Sequence, residues 1–130
     1  MRAKLRILLV DDDPAVCDSM RLLLELDGHA VTTEERPSAA IEKFQTAAAG
    51  GVAFQVVITD LAMPVLDGYK VAAAMREIVP GTPIILLTGW GQQVSAEPAL
   101  RSLVSETLGK PARLADLRAA LERCRNIGQA

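Results

Sequence analysis

Three apolar runs punctuate the chain, Ile7-Leu8-Leu9-Val10, Val56-Val57-Ile58 and Ile84-Ile85-Leu86-Leu87. Continuous runs of four or so branched residues, bounded by turn residues, mark strands buried on both faces. Between them the apolar positions recur at helical spacing. From Pro14 to Leu26 they are Val16, Met20, Leu23 and Leu24, and from Pro37 to Ala49 they are Ala40, Ile41, Phe44 and Ala48. A third helix is predicted from Asp67 or Gly68 to about Val79, with Val71, Ala74, Met75 and Ile78 inward. A last one begins at Leu114 and buries Leu117, Leu121 and Cys124. Asp13-Pro14 opens the first helix with a cap and a first-turn proline, and Asp27-Gly28, Gly50-Gly51 and Pro80-Gly81 close the first three. Ala30-Val31-Thr32-Thr33 is short and mixed, as an edge strand is, and Leu103 to Leu108 reads as a fifth strand. Gln92 to Ser102 is polar and holds Pro98, so a short helix is expected from near Pro98 with loop before it.

Short strands alternating with helix-length segments predict an α/β domain, a parallel sheet with helices on both faces. The pattern leaves the strand order open. No linker, repeat or low-complexity segment interrupts it, so residues 1–130 are expected to form a single domain, and 130 residues suffice for one core. Apolar residues at 50% and charged ones at 23% exclude disorder. A formal charge of -2 provides no overall basic field for nucleic acid or a membrane surface. No run approaches the roughly 20 apolar residues that span a bilayer. The basic start, Met1 to Arg6, leads into a run of four that ends at three aspartates, which is no signal peptide. Cys17 and Cys124 lack metal-ligand spacing and are expected as reduced thiols in a cytoplasmic protein.

The carboxyl ends of parallel strands share one edge of the sheet, where open α/β folds place their ligands. Four strands end there in polar residues: Asp11 and Asp12 after the first, Asp60 on the third, Thr88 on the fourth and Lys110 after the fifth. Three carboxylates brought together raise each other's pKa unless cations balance them. Lys110 supplies one positive charge, and an oxygen-only cluster suits Mg²⁺, which takes one or two carboxylates and keeps several waters. Each residue alone also has a structural reading. Asp11-Asp12-Asp13 can cap a helix and complement its dipole, Asp60 can cap a strand end, and Asp67 is expected to cap the third helix. A flavodoxin-like cofactor binder is poorly supported, because three aspartates after the first strand repel a phosphate. His29 falls in the turn before the second strand and is assigned no role.

Val10-Asp11-Asp12, Thr59-Asp60-Leu61-Ala62-Met63-Pro64 with Asp67-Gly68, Leu87-Thr88-Gly89 and Lys110-Pro111 stand in order along the whole chain. Together they resemble the receiver domain of two-component response regulators. The resemblance implies a flavodoxin-like (βα)5 fold with strand order 2-1-3-4-5. It implies that Asp60 accepts a phosphoryl group from the phosphohistidine of a histidine kinase or phosphotransfer protein. It implies Mg²⁺, or Mn²⁺, on Asp12, Asp60 and the Ala62 carbonyl, with Asp11 acting on the metal mainly through its waters. Lys110, on a cis Lys110-Pro111 peptide, would pair with Asp60 before transfer and with phosphate oxygens after it. Thr88 and the N–H groups near Leu61 and Gly89 would donate to the phosphoryl group. Such a domain is a switch that catalyses its own phosphorylation and dephosphorylation, not an enzyme with a separate substrate. The alternative is a constitutive interaction module on the same fold. Trp90 reads either as a loop aromatic covering the sheet edge or as a flank of the site that limits attack by water.

Two departures stand out. Receivers of this kind carry an aromatic residue three positions before the lysine, where this chain has Thr107. With Pro98 also breaking the fourth helix, signalling by the usual dimer through the fourth helix, fifth strand and fifth helix is not expected. No output domain is expected after the last helix, which leaves a stand-alone regulator, a phosphate shuttle or sink, or the receiver of a hybrid kinase. Leu87-Thr88-Gly89-Trp90-Gly91 resembles the receivers at the C-terminal end of hybrid kinases. Direct nucleic-acid and membrane binding are not expected.

Overall fold

The structure is a computed structural model that describes residues 4–63, 67–89 and 98–128. Its strands are β1 (Arg6–Val10), β2 (Ala30–Glu34), β3 (Val56–Asp60), β4 (Ile84–Thr88) and β5 (Glu106–Gly109). Helices α1 (Pro14–Leu26), α2 (Pro37–Ala49), α3 (Gly68–Ile78), α4 (Pro98–Arg101) and α5 (Leu114–Gly128) follow them in alternation. All strand pairs are parallel and the order is β2-β1-β3-β4-β5. This is the flavodoxin-like order expected from the resemblance.

The three apolar runs are the three interior strands, and the mixed ones are the edges. Side chains alternate across the sheet and split the core in two. Ile7, Leu9, Ile58, Ile85 and Leu87 meet Met20 and Leu24 of α1 and Leu117 and Leu121 of α5. Leu8, Val10, Val57 and Ile84 meet Ala40 and Phe44 of α2 and Val71 and Met75 of α3. Each such side chain taken fully out of water contributes roughly 1.5–3 kcal/mol, so the strand ends that carry the polar residues are held by the best-packed part of the molecule.

Helix ends follow the expected chemistry. The Asp13 carboxylate accepts from the Ala15 N–H at α1 and the Asp67 carboxylate from the Lys70 N–H at α3, each at 2.9 Å. Gly28, at φ +91°, takes the left-handed conformation that closes α1. α4 is short and starts at Pro98, as expected; the loop expected before it lies outside the described residues. Among the described residues no helix is long and apolar enough to cross a membrane. Both cysteines are free and buried.

Three expectations need correction. β5 begins at Glu106, not Leu103. The Leu103 carbonyl accepts from Arg76 Nε at 2.8 Å and the Val104 N–H turns back to the Arg101 carbonyl. Both residues pack on the core from outside the ladder. On α3, Ala72 is buried in the core while Ala74 is only half-buried. On α1, Cys17 is buried and Val16 and Leu23 are at its margin.

Candidate functional site

Asp11 follows β1 directly and is fully buried, its N–H donating to the Glu34 carbonyl of β2 at 3.1 Å. Its Oδ1 accepts from the Asp13 N–H at 2.9 Å, and its carbonyl accepts from the Cys17 thiol at 3.3 Å. Asp60 ends β3 and is 3% exposed. Asp12 is exposed at the rim. One carboxylate oxygen from each of the three lies within 4.8 Å of the others.

Lys110 comes from the far edge of the sheet. Its N–H donates to the Thr88 carbonyl at 2.8 Å, and its peptide bond to Pro111 is cis, as the resemblance implied. The ammonium lies 2.8 Å from Asp11 Oδ2 and 3.2 Å from Asp60 Oδ2. It therefore serves both carboxylates, and Asp11 the more closely. The Thr88 hydroxyl donates to the Leu108 carbonyl of β5 at 3.4 Å. Ala62 is exposed two residues beyond Asp60, and Thr107 is exposed on β5. Trp90 lies outside the described residues.

Charge is not balanced within this cluster, since three carboxylates face one ammonium. Burial raises the Asp60 carboxyl above its ordinary value; the charge of Asp11 adds to this, and Lys110 only partly offsets it. Burial works against the Lys110 ammonium, but the bond and charge of Asp11, then of Asp60, outweigh it and raise that group. Asp60 Oδ1 is buried and has no hydrogen-bond partner among the described residues. Asp11 Oδ2 is likewise without an aligned donor and has only its ion pair with Lys110. Buried acceptors in folded proteins are nearly always satisfied, so Asp60 Oδ1 points to a cation or donor that belongs beside it. An oxygen-only set of carboxylates next to that orphan suits a hard divalent ion.

The structure thus brings Asp11, Asp12, Asp60 and Lys110 together and puts Thr88 on the neighbouring strand end. Two contributors were not legible beforehand. The Asp13 N–H aims the Asp11 carboxylate, and the Cys17 thiol, pushed up to about 11 chiefly by burial, holds the Asp11 main chain. A cysteine one turn into the helix after a strand-end aspartate was the only sequence signal for the latter. Beside the cluster a cleft of about 500 Å³ runs from Lys110 and Pro111 along Ala15, Ser19 and Leu23 of α1.

Comparison with known proteins agrees with this fold. The family model described as response regulator receiver domain matches residues 7–122. An uncharacterized 14.6 kDa protein from Leptolyngbya boryana is 32% identical over 111 residues, spanning 84% of this chain and 81% of that protein. The transcriptional regulatory protein FixJ of Bradyrhizobium diazoefficiens is also 32% identical over 111 residues, spanning 85% of this chain but 52% of FixJ. The chain therefore covers about half the length of that regulator. The crystal structure of a response regulator receiver domain protein from Clostridium thermocellum superposes with a TM-score of 0.84 at 30% identity, over 96% of this chain and 97% of that one. The sheet order, the acidic cluster and these matches agree, and the chain belongs to the response regulator receiver domain family.

Proposed function

We propose that residues 1–130 act as a single phosphoacceptor switch in which Asp60 takes a phosphoryl group from the phosphohistidine of a histidine kinase or phosphotransfer protein. The observation that carries this is the Asp60 carboxylate itself. It is buried, one oxygen is held 3.2 Å from Lys110, and the other has no partner among the described residues.

In this reading an Asp60 oxygen attacks phosphorus in line, the P–N bond breaks, and the departing imidazole takes up a proton. The product is an acyl phosphate on Asp60. Asp12, Asp60 and the Ala62 carbonyl, with Asp11 acting through water, would hold Mg²⁺ or Mn²⁺; when bound, the ion neutralises charge on the transferring oxygens. Lys110 moves its charge from the carboxylate to the new phosphate oxygens. Thr88 donates to the phosphoryl group after leaving the Leu108 carbonyl. These are positioning and electrostatic contributions, which phosphoryl transfer chiefly requires. A protein donor is supported by the cleft beside α1 and by Leu22 and Leu26, which are 61% and 74% exposed on that helix. The chain then works as a cytoplasmic signalling domain that modifies only itself, alone or within a hybrid kinase. A constitutive interaction module is not favoured, because the complete acidic cluster with its lysine would then be idle.

Incubation with Mg²⁺ and a small phosphodonor, followed by intact mass, tests the proposal. Wild-type protein is expected to gain one phosphoryl group and Asp60→Asn none. A gain that persists in Asp60→Asn, or no gain in wild type, would overturn it.

A further inference from the structure

The geometry points to Gly68 as a positioning residue for Asp60, one that sets the phosphoacceptor's main chain from the first turn of α3. A Cβ built on Gly68 would lie 2.5 Å from the Asp60 carbonyl oxygen, 3.0 Å from Leu61 Cα and 2.8 Å from Leu86 Cδ1. The first two are backbone atoms with nowhere to swing, and the third belongs to a fully buried core residue. Glycine is used where one backbone must approach another this closely. The approach is also fastened, since the Gly68 N–H donates to the Leu61 carbonyl at 2.9 Å. From the other side, the Leu61 N–H donates to the Leu87 carbonyl of β4 at 2.9 Å. Leu61, the residue between Asp60 and Ala62, is therefore gripped between β4 at its N–H and the start of α3 at its carbonyl. Asp67 fixes that start by capping Lys70.

Any side chain at position 68 must push the Asp60–Leu61 peptide or α3 outward, and the Asp60 carboxylate and Ala62 carbonyl move with the peptide. The inference rests on the phosphoacceptor reading for its effect on rate, and on the acidic cluster alone for its effect on metal binding.

Gly68→Ala is compared with wild type for Mn²⁺ affinity by titration calorimetry and for the initial rate of phosphoryl gain by intact mass. Met75→Ala, buried two turns further along α3, serves as the packing control. Gly68→Ala is expected to lose at least tenfold in both quantities. Met75→Ala should stay within twofold of wild type in both, although its Tm falls. Affinity and rate within twofold of wild type in Gly68→Ala would overturn the inference. So would their recovery in Gly68→Ala/Leu86→Val, because extra room at Leu86 relieves packing and leaves the backbone collision. Should the single variant not fold, the double variant is compared with Leu86→Val, with the same tenfold loss expected and equality overturning the inference. If wild type binds Mn²⁺ but gains no phosphoryl group, the functional reading fails and the metal arm still decides the role of Gly68.

Discussion

Asp60 is the residue in which the fold and its proposed function pull against each other. Its carboxyl is raised by burial and by Asp11, so the folded state keeps a proton there that the unfolded chain has released. Stability of the metal-free protein therefore falls as pH climbs from the ordinary carboxyl value of 3.8 through the raised one. Asp60→Asn deletes that contribution. In urea unfolding with a chelator, the stability difference between Asp60→Asn and wild type should grow across that window and then level off; a flat difference would contradict the assigned burial cost. His29 has the opposite sign. Its Nδ1 accepts from the Leu5 N–H at 3.1 Å, which requires a neutral ring, and burial lowers its pKa. Asp11, Asp12 and Asp60 were legible because each stands where an apolar strand ends, and Lys110 because Gly109-Lys110-Pro111 closes the last strand. His29 and Cys17 were not, because their partners are main-chain atoms, brought near by the folded sheet for His29 and by the turn into α1 for Cys17.

At the scale of elements, patterning located the interior strands and the long helices closely. Pro14–Leu26, Pro37–Ala49 and Val56–Asp60 run as expected. It failed at β5, where Leu103 and Val104 are apolar enough for a strand but pack on the core without pairing. The reason is Arg76, whose guanidinium donates to the carbonyls of Leu103, Pro80 and Thr82 at 2.8, 2.7 and 3.1 Å. An arginine on a helix surface carries no sequence signal for such a clamp. It ties the end of α3 to the segment entering β5. Arg76→Met keeps the aliphatic stem and removes the donors, and should cost about 1–3 kcal/mol in urea unfolding. The Ser105 N–H, which donates to Ile84 at 2.7 Å, should lose hydrogen-exchange protection more than the centre of β3 does. Uniform loss across the sheet would show that the clamp is not local.

For the whole molecule, the acidic cluster predicts a stability that depends on divalent ions. A ligand that binds only the folded chain adds about 2.7 kcal/mol at a hundred times its Kd. Mg²⁺ at that excess should raise the Tm of wild type, and the gain should largely disappear in Asp60→Asn. An equal gain in both proteins would place the ion away from Asp60. Ion pairs elsewhere, such as Arg118 with Asp27 at 2.7 Å and Arg123 with Glu106 at 2.6 Å, hold α5 against the α1–β2 turn and β5. They are exposed and contribute little individually.

The site draws on positions from 11 to 110, supplied by the ends of strands that neighbour one another only in the finished sheet. A fragment that stops before β5 lacks the lysine, and one that begins after α1 lacks Asp11 and Asp12. If Asp60 is the acceptor proposed above, phosphoryl acceptance then requires the folded sheet that brings these ends together. Under the proposed function, a copy whose last strand is not yet in place lacks the lysine beside Asp60 and so lacks the assembled acceptor.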